Sequence, residues 1–201
     1  MKTVGVLTRI DELNNKSIHY IPSDIFYKLK DKANVIIIPF AMQDEFKDII
    51  SLVQQCDGII LPGGDDIYSI ETELCKYLYE NDIPTFGICL GMQTMACAIE
   101  GNLGSVGNLN HKSQETYVHD VTLKKDSIIH KIMNKDVINV NSRHKDCVVS
   151  TKLNISAYSS EGIIEAIEDP NKKFFIGVQW HPENLKDEYS NKLFNYFISM
   201  L

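Results

Sequence analysis

Arginine is nearly absent from this chain: of 20 basic residues only two, Arg9 and Arg143, are arginine. Acidic residues number 27, the formal net charge is -7, and Lys and Arg nowhere gather into a run. No basic stripe can therefore track a phosphate backbone, which excludes nucleic acid as a partner class. Long apolar stretches are missing too. The first nine residues meet charged and turn residues too early for a signal peptide, and no later run is long enough to span a bilayer. These absences predict a soluble, cytoplasmic protein that does not engage membranes. Paired cysteines are also lacking. Cys56, Cys75, Cys89, Cys97 and Cys147 are odd in number and scattered, without the spacing of a disulfide framework, a zinc site or a redox dithiol. The triplets Asn15-Lys16-Ser17 and Asn154-Ile155-Ser156 would matter only in a secreted chain. Neither a metal nor an organic cofactor is implied.

What is present is a chain of 201 residues with 44% hydrophobic content, enough for one domain spanning residues 1–201 around a substantial core. Its first half alternates short β-branched runs, at residues 4–8, 35–39, 58–61 and 85–88, with amphipathic segments. Phe46, Ile49, Ile50 and Val53 recur at helical spacing, as do Ile70, Leu74, Tyr77 and Leu78. That alternation is the mark of parallel strands joined by helical crossovers. A helix over about 92–100 follows. Strand-like runs at 117–123, 137–140, 155–158, 163–168 and 174–178 then predict an antiparallel extension, and Leu185, Tyr189, Leu193 and Phe197 mark a closing helix. The expected fold class is α/β, with a mixed, mostly parallel sheet covered by helices on both faces. Gly101, Gly104 and Gly107 follow a helix where a dinucleotide fingerprint would open one, so they read as caps and turns.

Three segments carry chemistry. The first is Phe86-Gly87-Ile88-Cys89-Leu90-Gly91-Met92-Gln93, an apolar strand running into G-x-C-x-G and then into a helix. This is the context of a nucleophile elbow: the bend strains the nucleophile's backbone, and side chains two positions either side would clash across it. A sulfur at a helix N-terminus also has its thiolate favoured by free backbone N–H groups. The second is a buried-strand pattern ending in Gln179-Trp180-His181-Pro182-Glu183. Histidine can take a thiol's proton and return it to a leaving amine, and a carboxylate two residues on can reach back to orient the ring. The third is Leu61-Pro62-Gly63-Gly64, whose glycines allow backbone N–H groups to face a cleft.

Leu-Pro-Gly-Gly, Gly-Ile-Cys-Leu-Gly-Met-Gln and Gly-Val-Gln-Trp-His-Pro-Glu, in this order and dispersed over the whole chain, resemble the class I glutamine amidotransferase superfamily. The resemblance implies that fold and a cysteine amidohydrolase. Cys89 is then the nucleophile, His181 the base and acid, Glu183 its orienter, and Gly64 and Leu90 the oxyanion donors. A γ-glutamyl thioester is the intermediate. Gln93 matches a position that holds the glutamyl end, and Gly63 of the same turn is placed against the substrate. The segment Val140-Asn141-Ser142-Arg143-His144 resembles a motif of the γ-glutamyl hydrolase branch, which adds Ser142 and His144 as substrate contacts. Leu90, where that branch commonly has arginine, and Lys145-Asp146, where it has His-Gln, depart from the pattern and leave the substrate open.

The two arginines both fall at the expected mouth of this site, Arg9 at the end of the first strand and Arg143 within the pocket motif. Arginine's fork suits carboxylate and phosphate, so both are expected to contact an anionic, phosphate-bearing leaving group, as in a γ-glutamyl nucleotide amidate. The competing expectation is a glutaminase subunit that passes ammonia to a separate synthase. A non-catalytic binding module is a third, against which the complete triad argues.

Overall fold

The computed structural model describes residues 1–40, 46–107 and 111–201. Its elements run β1 (Thr3–Leu7), β2 (Arg9–Leu13), β3 (Lys16–Tyr20), α1 (Ser23–Leu29), β4 (Asn34–Ile38), α2 (Phe46–Val53), β5 (Gly58–Leu61), α3 (Ser69–Glu80), β6 (Thr85–Ile88) and α4 (Leu90–Ala98). The second half continues β7 (Asn102–Ser105), β8 (His119–Leu123), α5 (Ile128–Met133), β9 (Val137–Val140), β10 (Asp146–Ser150), β11 (Asn154–Ser159), β12 (Ile164–Glu168) and β13 (Phe175–Val178). A 3-10 turn (Pro182–Asn184) and α6 (Glu188–Ser199) complete it.

Nine strands form one sheet in the order β4-β1-β5-β6-β13-β12-β11-β8-β9. The β4 to β13 half is parallel, and β13 pairs antiparallel with β12 to begin the expected extension. The inner parallel strands β1, β5, β6 and β13 are apolar at nearly every position because both of their faces are covered, whereas β4 lies at the sheet edge with Ile37 exposed. On one face Val4, Val6, Ile60, Phe86 and Ile176 pack with Ile25 and Leu29 of α1 and Leu193, Phe194 and Phe197 of α6. On the other, Leu7, Ile59, Leu61 and Phe175 pack with Ile49 and Val53 of α2, Leu74 and Leu78 of α3, and Met92 and Met95 of α4. Phe86 lies with ring centroids 6.1, 5.3 and 5.9 Å from Phe174, Phe194 and Phe197. Truncating such a ring to Ala costs about 3–5 kcal/mol, and here it would loosen the strand that delivers Cys89.

The structure departs from the sequence expectation in three places. Arg9 does not end the first strand; it opens β2, one arm of a two-stranded hairpin with β3. That hairpin is largely solvent-exposed and polar, so it carries no hydrophobic alternation to read. The fourth helix begins at Leu90, directly after Cys89, and not near residue 92. Gly104 lies within β7, which pairs with β10 apart from the main sheet. Among the described residues no helix is long and apolar enough to cross a membrane.

Candidate active site

Cys89 stands between β6 and α4 with φ 52° and ψ -105°. A non-glycine residue in this region is strained by about 1–3 kcal/mol and persists only when its surroundings hold it. Two backbone bonds do so: Cys89 N donates to Val178 O at 2.8 Å, and Gln93 N donates to Cys89 O at 3.1 Å. Steric crowding at the bend explains the flanking glycines. A Cβ on Gly91 would lie 1.9 Å from the Leu61 carbonyl oxygen, and one on Gly87 would lie 2.4 Å from Met95 Sδ and 2.8 Å from Met92 N.

The register of β6 against β13 then supplies the histidine. Ile88 is paired with Val178, so the residues that follow each strand emerge side by side at one end of the sheet. Gln179 Nε2 donates to Cys89 Sγ at 3.5 Å, and His181 lines the same groove as Cys89. His181 Nδ1 is 2.7 Å from Glu183 Oε1, with the Glu183 side chain only 1% exposed. Burial by itself lowers the affinity of His181 for its proton. The charges of Glu183 and Cys89, and the hydrogen bond to Glu183, outweigh burial and raise its pKa to about 10. Asn141, which the sequence motif contains but for which its pattern suggests no role, is buried and clamps the histidine's backbone. Its Oδ1 accepts from His181 N at 2.8 Å and its Nδ2 donates to His181 O at 2.9 Å.

Gly63 and Gly64 follow β5 beside Cys89. A Cβ on Gly63 would lie 2.6 Å from His181 Cε1, so the absent side chain is what admits the ring. Leu90 opens α4, where first-turn N–H groups have no intrahelical acceptor.

Arg9 requires a correction. It is 3% exposed and turned inward, with Nη1 donating to Glu71 Oε1, Nη2 to Pro62 O, and Nε to Pro62 O and Gly63 O at 3.1 Å each. Its fork is occupied by protein oxygens, not aimed at a ligand. The adjacent Glu71 carboxyl is raised by burial, opposed by Arg9 and by the Tyr68 N–H. In a trans peptide the N–H points opposite the C=O. Pinning Gly63 O therefore aims the Gly64 N–H away from Arg9.

The remaining predicted contacts separate. Ser142 is fully buried and donates to His111 O at 2.8 Å, away from the cleft. Gln93 Nε2 donates to Asp146 O at 2.9 Å and Gln179 Oε1 at 3.2 Å, bracing the floor. Burial pushes the His144 pKa down to about 4 against a hydrogen bond to Asp146, so it presents a neutral ring. Arg143 is exposed at the mouth, with Nη1 donating to Asn184 Oδ1. Two hollows meet at Cys89. A small one, about 50 Å³, includes Gln93, His144, Lys112, Lys145, Asp65 and Asp146 in its wall. A wider groove of about 340 Å³ passes His181, Tyr20, Pro22, Asn184 and Arg143. Lys112 and Asp65 were not singled out from sequence, where nothing distinguishes them from surface charge.

The chain is similar to known proteins. Residues 69–183 match the model of the Peptidase C26 family. One of the subunits of the glutamine-hydrolysing GMP synthase of Methanothrix thermoacetophila is 30% identical over 178 residues, covering 88% of this chain and 90% of that relative. The CTP synthase of Mycoplasmopsis pulmonis is 30% identical over 195 residues, but the chain spans only 36% of that enzyme's length. Among solved structures, the glutaminase domain of Trypanosoma brucei CTP synthase superposes with a TM-score of 0.72 at 19% identity, covering 99% of this chain and 94% of that one. The chain belongs to the Peptidase C26 family, with a class I glutamine amidotransferase fold, and is a hydrolase acting on amide C–N bonds.

Proposed function

We propose that the chain releases glutamate from a γ-glutamyl amide through a γ-glutamyl thioester on Cys89. The small hollow suits the zwitterionic end of a glutamyl group, since its wall carries cations at Lys112, Arg143 and Lys145 and carboxylates at Asp65 and Asp146. The observation that carries the reading is the 340 Å³ groove on the imidazole side. Free glutamine expels only ammonia, which needs no groove; a conjugated amine does.

In the proposed cycle the Cys89 thiolate attacks the γ-carbonyl carbon, and the oxyanion is held by the N–H groups of Gly64 and Leu90. Imidazolium His181 gives its proton to the departing nitrogen, the C–N bond breaks and the thioester forms. A water then enters, His181 takes its proton, the C–S bond breaks and glutamate leaves. Glu183 holds the ring in the tautomer and orientation both steps need. Arg143 at the groove's mouth supports an anionic, phosphate-bearing leaving group. With Arg9 withdrawn to a structural role, Arg143 carries that preference alone, and Arg143→Met should raise KM for a γ-glutamyl phosphoramidate while sparing kcat.

The second reading, a glutaminase subunit serving a separate synthase, draws its support from the names of the GMP synthase and CTP synthase relatives. One experiment separates the two: glutamate release by the isolated chain from γ-glutamyl amines, γ-glutamyl phosphoramidates and free glutamine. The hydrolase reading expects kcat/KM for a conjugate to exceed that for glutamine by about 100-fold or more. Inactivity on every conjugate, with glutamine turnover only after a synthase is added, would overturn it.

A further inference from the structure

In and behind the wall of the small hollow lie four side chains that the proposed chemistry does not use: His144 of the wall itself, with His111, His119 and Glu165. They come from four separate segments, the stretch before β8, β8 itself, the loop between β9 and β10, and β12. One ligand atom from each lies within 4.8 Å of all the others. His111 Nδ1 is 3.1 Å from His144 Nε2, and Glu165 Oε1 is 3.6, 3.6 and 3.8 Å from His111 Nδ1, His119 Nε2 and His144 Nε2. We propose that these four residues form a closed, tetrahedral site for a zinc-like divalent cation.

Three observations carry the assignment. First, the donors are spaced as a metal would space them. Ligand bonds of about 2.0–2.1 Å in a tetrahedron put neighbouring donors about 3.3–3.4 Å apart, and the four measured separations straddle that value. Second, three of the inner atoms lack a hydrogen-bond partner: both carboxylate oxygens of Glu165 and Nε2 of His119 are buried with none, and the Glu165 side chain is 0% exposed, while His111 Nδ1 also has Ser142 Oγ at 3.2 Å. Interiors rarely strand a carboxylate this way unless a cation satisfies it. Third, the outer ring nitrogens face acceptors. His144 Nδ1 donates to Asp146 O at 2.9 Å, His119 Nδ1 to Asp120 O at 3.2 Å, and His111 Nε2 lies 4.0 Å from Glu161 Oε2. For His144 and His119 these bonds fix the tautomer that leaves the inner lone pair free, as around ligating histidines generally.

The donor set of three imidazoles and one carboxylate suits zinc and its first-row neighbours, not calcium or magnesium. All four positions are protein atoms and the side chains are 1, 9, 2 and 0% exposed, so no place is left for a reacting water. The site is structural. It ties the inner strand β12 to β8 and to the loop carrying Arg143, His144, Lys145 and Asp146, which walls the small hollow.

The test is metal content and spectroscopy of the tag-free protein, neither of which depends on turnover. The expected result is about one zinc per chain retained through gel filtration. After chelation, Co(II) should restore one equivalent with the intense visible absorption of a four-coordinate ion. His119→Gln, at the least buried ligand, should weaken retention by about 10-fold or more, and Cys89→Ser should leave it unchanged. A stripped protein that takes up no cobalt, or takes it up with a weak six-coordinate spectrum, would overturn the site. So would loss of binding in Cys89→Ser, which would place the metal on the catalytic sulfur.

Discussion

Arg9 is the residue whose replacement discriminates best between its two readings. Arg9→Lys keeps a cation opposite Glu71 but removes the fork that holds Pro62 O and Gly63 O. A lysine ammonium cannot reach the carboxylate and both carbonyls in that geometry. Two effects follow. Buried acceptors left short of donors cost about 1–3 kcal/mol each, so unfolding free energy should fall by about 2–4 kcal/mol. The released Gly63–Gly64 peptide would also let the Gly64 N–H swing off the proposed oxyanion position. Loss of a whole oxyanion donor costs about 10²–10³ in kcat, and a misaimed one should cost about 10–100-fold, with KM little changed. Arg9→Met is harsher, because it strands the Glu71 carboxyl and should cost about 3–5 kcal/mol. Adding Glu71→Leu to Arg9→Met removes the stranded carboxyl, and should recover that part of the stability while the Pro62 and Gly63 carbonyls stay without their donors and kcat stays low. The measurements are urea unfolding and steady-state glutamate release. A variant with normal kcat and a KM raised only for anionic substrates would refute the reasoning, and would mean that Arg9 reaches the ligand.

Asn141→Ala removes both clamps on the His181 backbone and should lower kcat about 10-fold with KM nearly constant; Asn141→Asp, which can accept but not donate, should fall between, and equal kcat in all three proteins would dismiss the clamp. The pH dependence follows from the raised His181 pKa. Its proton is held more tightly folded than unfolded, so the stabilisation is full below about 6.5 and is lost as pH rises through about 10. The base limb of kcat/KM for the free enzyme should fall in the same region, and Glu183→Gln should bring it down by about a unit or more. A base limb near neutrality that ignores Glu183→Gln would contradict the pairing. Gly91→Ala should fail to fold, at a cost of at least about 4 kcal/mol, because its Cβ would meet the Leu61 backbone at 1.9 Å. Circular dichroism showing a native Gly91→Ala protein would remove the steric account of the elbow.

The parallel half of the sheet was legible because β1, β5 and β6 are buried runs, β4 is a β-branched one, and α2 and α3 repeat apolar residues at helical spacing. The β2–β3 hairpin was not, since only Arg9 of it is buried and its exposed residues mix polar side chains with Leu13 and Tyr20, which leaves no period to detect. Arg9 was misplaced for the same reason: with the hairpin unread, the residue stood at a free strand end. The cluster of His111, His119, His144 and Glu165 gave no spacing signal at all. Metal motifs are recognised when ligands share a helix or turn, whereas these four meet only through the pairing of β8, β11 and β12 and the fold of two loops.

The elbow around Cys89 is a short-range matter: an apolar strand, two glycines and a helix start within eight residues, and the steric limits of one tight bend decide the rest. The choice of partner is not. Cys89 and Gln179 are 90 residues apart, and they touch because β6 and β13 pair in a register that sets Ile88 against Val178. Register is fixed by burial on both faces of the assembled sheet, a condition no local segment contains. The sequence alone thus named the sulfur and the likeness of its surroundings. Only the folded sheet decided which groups face it, which arginine is free to meet a substrate, and which buried donors converge behind it.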